Sequence, residues 1–187
     1  MSTRAHIRHV LSENPVTLVA AALFGLFVLL ALVGPWIVPY DPLASDAGAA
    51  LQGPSARHWF GTDALGRDIL SRTVVATRLD LGIAGSAVAL SFVVGIALGL
   101  LAGYFGGWWD LGVTRLADTI MAFPLFVLAM GIVAALGNNV ANIVYATAII
   151  NLPFYIRLAR AEANVRRSAG YVEAARLAGN GEWRLLA

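Results

Sequence analysis

Three long stretches of the 187-residue sequence contain no Asp, Glu, Arg or Lys, and they restrict the folds open to the chain more than any other feature. The first runs from Asn14 to Tyr40. Its apolar part, Val16 to Val38, is long enough as a helix to cross roughly 30 Å of hydrocarbon at about 1.5 Å per residue. The second, Leu81 to Trp109, ends in "YFGGWWD", whose aromatic rings suit headgroup depth. The third lies between Asp118 and Arg157 and would be about 57 Å long as one helix, nearly twice the membrane, so it must fold back on itself. "LGNN", Leu136 to Asn139, provides the turn, because Gly and Asn tolerate left-handed and turn conformations. Spans near Thr119–Leu136 and Val140–Ile156 follow. The pattern predicts an all-α, polytopic transmembrane helical bundle with four spans. The rival for the first stretch is a cleaved signal peptide with Arg4 and Arg8 as its basic start. Against it, the apolar run exceeds the usual 7–15 residues of about that class, and "GPWIVPYDP" is a poor small-residue cleavage site.

Composition agrees with a bilayer protein: 59% of residues are hydrophobic and 13% charged, against about 25% charged in soluble domains. Without cysteine, the chain can build no disulfide, iron–sulfur or thiolate zinc site. Every Lys/Arg position is arginine, which excludes a P-loop and a lysine Schiff base, so any ATP must be bound by another chain. Four spans put both termini on one side. Arg4, Arg8, Arg115, Arg157, Arg160, Arg166, Arg167, Arg176 and Arg184 fall on that side, and Arg57, Arg67, Arg72 and Arg78 on the other. The richer side is expected to be cytoplasmic. The expected organisation is a cytoplasmic N-terminal segment (1–15), a first span (16–38), an extracytoplasmic loop (39–80), a membrane core of three spans (81–156) and a cytoplasmic segment (157–187).

Within the loop, "VPYDPLASDAGAALQGPS" reads as an irregular crossing. In "HWFGTDALGRDILSRTVVATRLD", Thr62 or Asp63 is expected to cap a short amphipathic elbow helix, with Leu65, Ile69, Leu70 and Thr73 on its apolar face and Arg67, Asp68 and Arg72 opposite. The bland alternative is a solvated segment with no partner. In the second span Ser91, Gly95, Gly99, Gly103 and Gly107 recur every four residues, a small-residue stripe suited to close helix packing. Pro124 and Pro153 are expected to kink their spans, and Asn142 and Asn151 to make interhelical hydrogen bonds or line a pore. No titratable group is expected mid-membrane, which argues against a proton-coupled pump. His6, His9 and His58 fall on opposite sides, so they cannot share a metal, and each reads as a solvated residue.

Beyond the fourth span, the helix is expected to run on to Arg167, with Arg157, Arg160, Arg166 and Arg167 at the anionic inner leaflet. "YVEAARLAG" follows. Its paired alanines, Ala174 and Ala175, make a helix surface shallow enough for another protein to approach, Glu173 offers a charge, and Gly179 permits a sharp turn at the helix end.

"FGTDALGRDILSR", "GIALGLLAGYFGGWWD" and "YVEAARLAG" together resemble the dipeptide/oligopeptide/nickel class of ABC-transporter permeases, in particular its C-type membrane subunit, over about Val16 to Ala187. The resemblance implies that Glu173, Ala174, Ala175 and Gly179 begin an EAA loop that docks on an ATPase subunit. It implies a partner permease, two cytoplasmic ATPase subunits and an extracytoplasmic solute-binding protein, with no cofactor, metal or nucleic acid. It also implies six spans and a closing "LP" element, so the chain is expected to be truncated within the EAA loop. The function expected is that of a non-catalytic importer subunit for peptides or a related small solute such as a nickel chelate. The alternatives are a membrane scaffold and, less favoured for want of an intramembrane charge, a secondary carrier.

Overall fold

The structure is a computed structural model that describes residues 14–186. Among these residues the elements are helices and turns: α1 (Pro15–Ile37), a short 3-10 turn (Ala47–Ala49), α2 (Ile69–Phe105), α3 (Gly107–Met121), α4 (Leu125–Leu136), α5 (Val140–Arg166), α6 (Gly170–Leu177) and α7 (Glu182–Leu186). Arg4, Arg8, His6 and His9 lie outside the described residues. Two compact units divide the chain, one up to Gly82 and one from Ile83, so that α2 belongs to both.

In the first unit, α1 starts where Asn14 accepts hydrogen bonds from the amides of Val16 (3.1 Å) and Thr17 (3.3 Å), with Pro15 preset for the first turn. Its apolar residues point outward, Phe24 and Leu32 among them, as expected of a helix whose solvent is lipid. Ala31 and Gly34 are buried instead: a Cβ at Gly34 would stand 2.6 Å from Val74 Cγ1, and its absence lets α1 approach the first turns of α2.

The loop between α1 and α2 is more ordered than its composition suggests. Asp41, Asp46 and Asp63 each accept a bond from the amide two residues on, closing three Asx turns. Thr62 accepts from Gln52 N (2.9 Å) and donates to the Ala49 carbonyl, tying residues 49–52 to residue 62. Gly66 has φ 74°, and a Cβ there would collide with the Asp46 carbonyl, so glycine is required. Asp68 lies at the centre. One carboxylate oxygen accepts from Ser71 N (2.8 Å) and Oγ (2.7 Å), capping α2, and the other is 2.9 Å from His58 Nδ1. Asp68 is 3% exposed and Ser71 0%, and His58, expected as a solvated residue, is buried at 8% because Asp68 supplies its partner. No separate elbow helix stands in the loop: residues 62–68 form turns, and Ile69, Leu70 and Thr73 begin the continuous α2.

In the second unit, α3, α4 and the later part of α2 all pack on α5. Ala102 of α2, Val113 and Ala117 of α3 and Ile156 of α5 form the buried cluster, with Leu98 and Leu152 against it. The span expected at Thr119–Leu136 is broken. α3 and α4 meet at 95° across residues 122–124. Pro124 has no amide to donate and disfavours helical backbone at Phe123, so one helix ends there and another begins. The turn at Leu136 to Asn139 stands where expected, with Gly137 at φ 97° and Asn139 capping α5. Asn142 donates to the carbonyls of Leu136 (2.7 Å) and Gly137 (2.9 Å), closing the end of α4, whereas Asn151 bonds within its own helix to Thr147 O. By length and composition three helices can cross a membrane, α1, α2 and α5, and a fourth crossing is available if the bent α3–α4 pair counts as one.

Candidate functional site: a glycine-faced helix and the segment beyond α5

Gly95, Gly99 and Gly103 lie against the backbone of α5. A Cβ at Gly95 would come 2.5 Å from Tyr155 Cβ, one at Gly99 2.5 Å from the Ile156 carbonyl, and one at Gly103 2.5 Å from the Arg160 carbonyl. Real Cβ atoms do not approach so closely, so each glycine is what permits the helices to meet at this distance. Ala159 and Ala163, one turn apart on α5, face Gly99 and Gly103 and keep that side shallow too. Ser91, 1% exposed, turns its hydroxyl back to the Ala87 carbonyl (2.8 Å) and presents little more than a methylene. Gly107 belongs to α3, and a Cβ there would meet nothing within 4 Å.

Ion pairs flank this contact. Arg157 is 2.9 Å from Asp118, Arg160 pairs with Asp110, and Arg166 pairs with Glu162 within α5. Three of the four arginines expected at the lipid surface are thus engaged with carboxylates. Arg167 reaches the Gly103 carbonyl at 3.5 Å, placing a cation at the C-terminus of α2.

After α5 the chain turns at residues 167–169 and enters α6. Glu173 and Ala174 are exposed, Ala175 is half-buried, and Gly179, exposed at φ 86°, ends the segment in the left-handed conformation that lets the chain reverse. Val172 anchors the other face. Tyr171 (64%) and Leu177 (90%) are open beside Glu173 and Ala174, so α6 carries a mixed apolar and acidic surface. Among the described residues Glu173 has no ion-pair partner. The two sequence-derived sets stand on separate elements: the small residues on α2, the Glu-Ala-Ala set on α6 and the turn after it.

Side chains outside both of these sets join the two elements. Tyr104, in the last turn of α2, donates to Glu182 of α7, and Arg176 of α6 lies within 3.2 Å of the Tyr104 hydroxyl and 3.3 Å of Glu182 Oε1. Phe105 and Trp183 pack edge-on with centroids 5.5 Å apart. The Tyr104 hydrogen bond, opposed by desolvation and helped by Arg176, holds the Glu182 carboxyl below its ordinary value. The partners are 78 residues apart, so no local pattern could reveal them. Among the described residues no group of three or more His, Asp or Glu could hold a metal ion.

Apolar helices of this length and a glycine-faced helix pair define a multi-pass membrane protein, with a short exposed helix beyond α5. Residues 95–187 match the family model described as the binding-protein-dependent transport system inner membrane component, and residues 2–54 match the N-terminal TM domain of oligopeptide transport permease C. The chain belongs to this family of inner-membrane permease components. Among its curated relatives is a probable D,D-dipeptide transport system permease protein of Escherichia coli, 40% identical over 94% of this chain and 59% of the relative. A glutathione transport system permease protein of Pectobacterium atrosepticum is 40% identical over 90% and 56%. A dipeptide transport system permease protein of Alkalihalophilus pseudofirmus is 38% identical over 94% and 58%. The chain therefore spans somewhat under three-fifths of the length of the relatives it matches.

Proposed function

We propose that the chain is a membrane subunit of an ATP-driven importer for dipeptides or a related small solute, and that it binds an ATPase subunit through α6. The observation that carries this reading is the exposed Glu173–Ala174–Leu177 surface on a short helix directly after a membrane-length helix, within the stretch that matches the transport-system family. An exposed helix face that sets Ala174 between an acidic handle and the apolar Leu177 suits a groove on a partner protein, because affinity there depends on close approach and a few anchors. The subunit performs no chemistry: ATP hydrolysis falls to two separate cytoplasmic subunits, consistent with a chain that has no lysine for a P-loop. A second permease subunit would complete the membrane domain, lipid would surround it, and an extracytoplasmic solute-binding protein would deliver the solute. The substrate class rests on the dipeptide and glutathione permeases among the relatives. The arginine asymmetry supports an orientation with Arg166 inside and Ala47 outside.

Two measurements test the proposal. The chain should co-purify with a P-loop ATPase, and vesicles holding the assembled transporter should take up alanyl-alanine or glutathione in an ATP-dependent way. Because the chain is cysteine-free, Ala47→Cys and Arg166→Cys can be labelled singly. Reaction of Ala47→Cys only from the cytoplasmic face would overturn the orientation, and the absence of any associated ATPase would overturn the function.

A further inference from the structure

Among the described residues, the segment that carries Glu173 is attached to the membrane helices in two places. One attachment is covalent: α5 continues through residues 167–169 into α6. The other is made across space to the end of α2, at the last turn of the helix whose glycines lie against α5. Tyr104 donates to Glu182, Arg176 lies beside both, and Trp183 packs on Phe105. Gly106, at φ 66°, ends α2 immediately after these residues, and a Cβ there would stand 3.3 Å from the Arg167 guanidinium. The end of α2 is therefore gripped by Arg167 before α6, Arg176 within it and Glu182 after it.

Through the α5 junction alone, a push on α6 would be absorbed as bending at that joint. With α2 held as well, a displacement of α6 has to move α2 and α5 together or break the contact. The α2–α5 interface does not deform smoothly, because Gly95, Gly99 and Gly103 are already in backbone contact with α5. Close-packed interfaces of this kind shift between discrete arrangements. We propose that Tyr104, Arg176 and Glu182 form a latch that carries movement of the docking segment into α2, making them positioning residues for the coupling of ATP hydrolysis to transport. This rests on the proposed function of α6.

The latch is tested with Tyr104→Phe, which removes one hydroxyl without touching the fold, with Glu182→Ala and with the conservative Glu182→Gln, each in the assembled transporter. The ATPase should still co-purify with all three. Alanyl-alanine uptake per ATP hydrolysed should fall about fivefold or more in Tyr104→Phe and Glu182→Ala, the lower end of the usual range for coupled sites, and recover partly in Glu182→Gln. In parallel, amide exchange of residues 170–186 is followed in lipid nanodiscs. Each single variant should speed exchange, and the Tyr104→Phe/Glu182→Ala pair should speed it no more than Glu182→Ala alone. Unchanged uptake per ATP, or additive exchange effects, would overturn the latch. A wild-type chain that binds no ATPase would instead overturn the function beneath it, while the exchange cycle still decides whether the two side chains are joined.

Discussion

The loop between α1 and α2 and the helices from Ile83 onward are held together by opposite means. Between residues 40 and 71 the contacts are polar and directional: Thr62, His58, Asp68 and Ser71 are buried, and each has its hydrogen-bond partner. From Ile83 onward the closest contact between helices, α2 on α5, is made by the absence of side chains, at Gly95, Gly99 and Gly103 against Ala159 and Ala163, with the Arg157–Asp118 and Arg160–Asp110 pairs flanking it. The difference follows from the solvent. Outside the hydrocarbon a loop competes with water for its backbone groups, and buried polar side chains hold it by answering those groups one by one. Inside, apolar side chains gain nothing by leaving lipid, so helix association depends on close shape fit and on polar contacts between helices.

Four changes separate these two modes. Asp68→Ala should cost most, about 3–5 kcal/mol within the loop, because it strands the Ser71 amide and hydroxyl and the His58 ring in a buried site. Limited proteolysis in mild detergent should cut between residues 40 and 68 while α5 stays intact. Gly99→Leu should come next, at about 1–3 kcal/mol from overpacking, since even its Cβ meets the Ile156 carbonyl. Normal thermal stability of this variant would remove the close-packing explanation of the stripe. Gly85→Ala, in the same helix but with nothing within 4 Å of the added carbon, should instead raise stability by about 0.5–1 kcal/mol in the same melt.

The smallest effect is that of pH. Burial pushes the Asp68 carboxyl up, but the Ser71 amide, His58 and the Ser71 hydroxyl outweigh it and hold the group below its ordinary value of 3.8. A depressed carboxyl contributes stability that is present above that ordinary value and lost as pH falls through the folded one. Loop protection from proteolysis should therefore be flat across neutral pH and collapse only below 3.8. Asp68→Asn should abolish the acid step.

Much of the helical unit could be read from the sequence because bilayer-crossing helices must be long and apolar. The starts of α1 and α5 fall at Pro15 and Val140, beside the expected first residues Val16 and Val140, and the Gly137 turn separates α4 from α5. At Pro124 the sequence predicts only a kink, since "IMAFPLF" is uniformly apolar and apolarity cannot distinguish a bent pair from one continuous span. The sequence predicts an irregular crossing in the first part of the loop and an elbow helix in the second, and misses the order of both because it depends on contacts between residues ten or more apart, such as Thr62 with Gln52 and His58 with Asp68. A closer local signal was present in "YDP", "SDAG" and "TDALG", where each Asp precedes a turn it closes. The Glu173–Ala175 helix stood out as a motif, whereas Tyr104 and Glu182 each sit in unremarkable surroundings and acquire meaning only when the fold brings them together.

The most direct test is a single cysteine at Ala174, on the exposed face of α6, in membranes that contain the assembled transporter. It should form a cross-link to a P-loop ATPase subunit, Glu173→Lys should weaken that association roughly tenfold, equivalent to about 1.4 kcal/mol, and Ala47→Cys should form no such cross-link. Labelling of Ala174→Cys from the extracytoplasmic face, or an ATPase that co-purifies yet never cross-links at this position, would contradict the assignment of α6 as the docking helix.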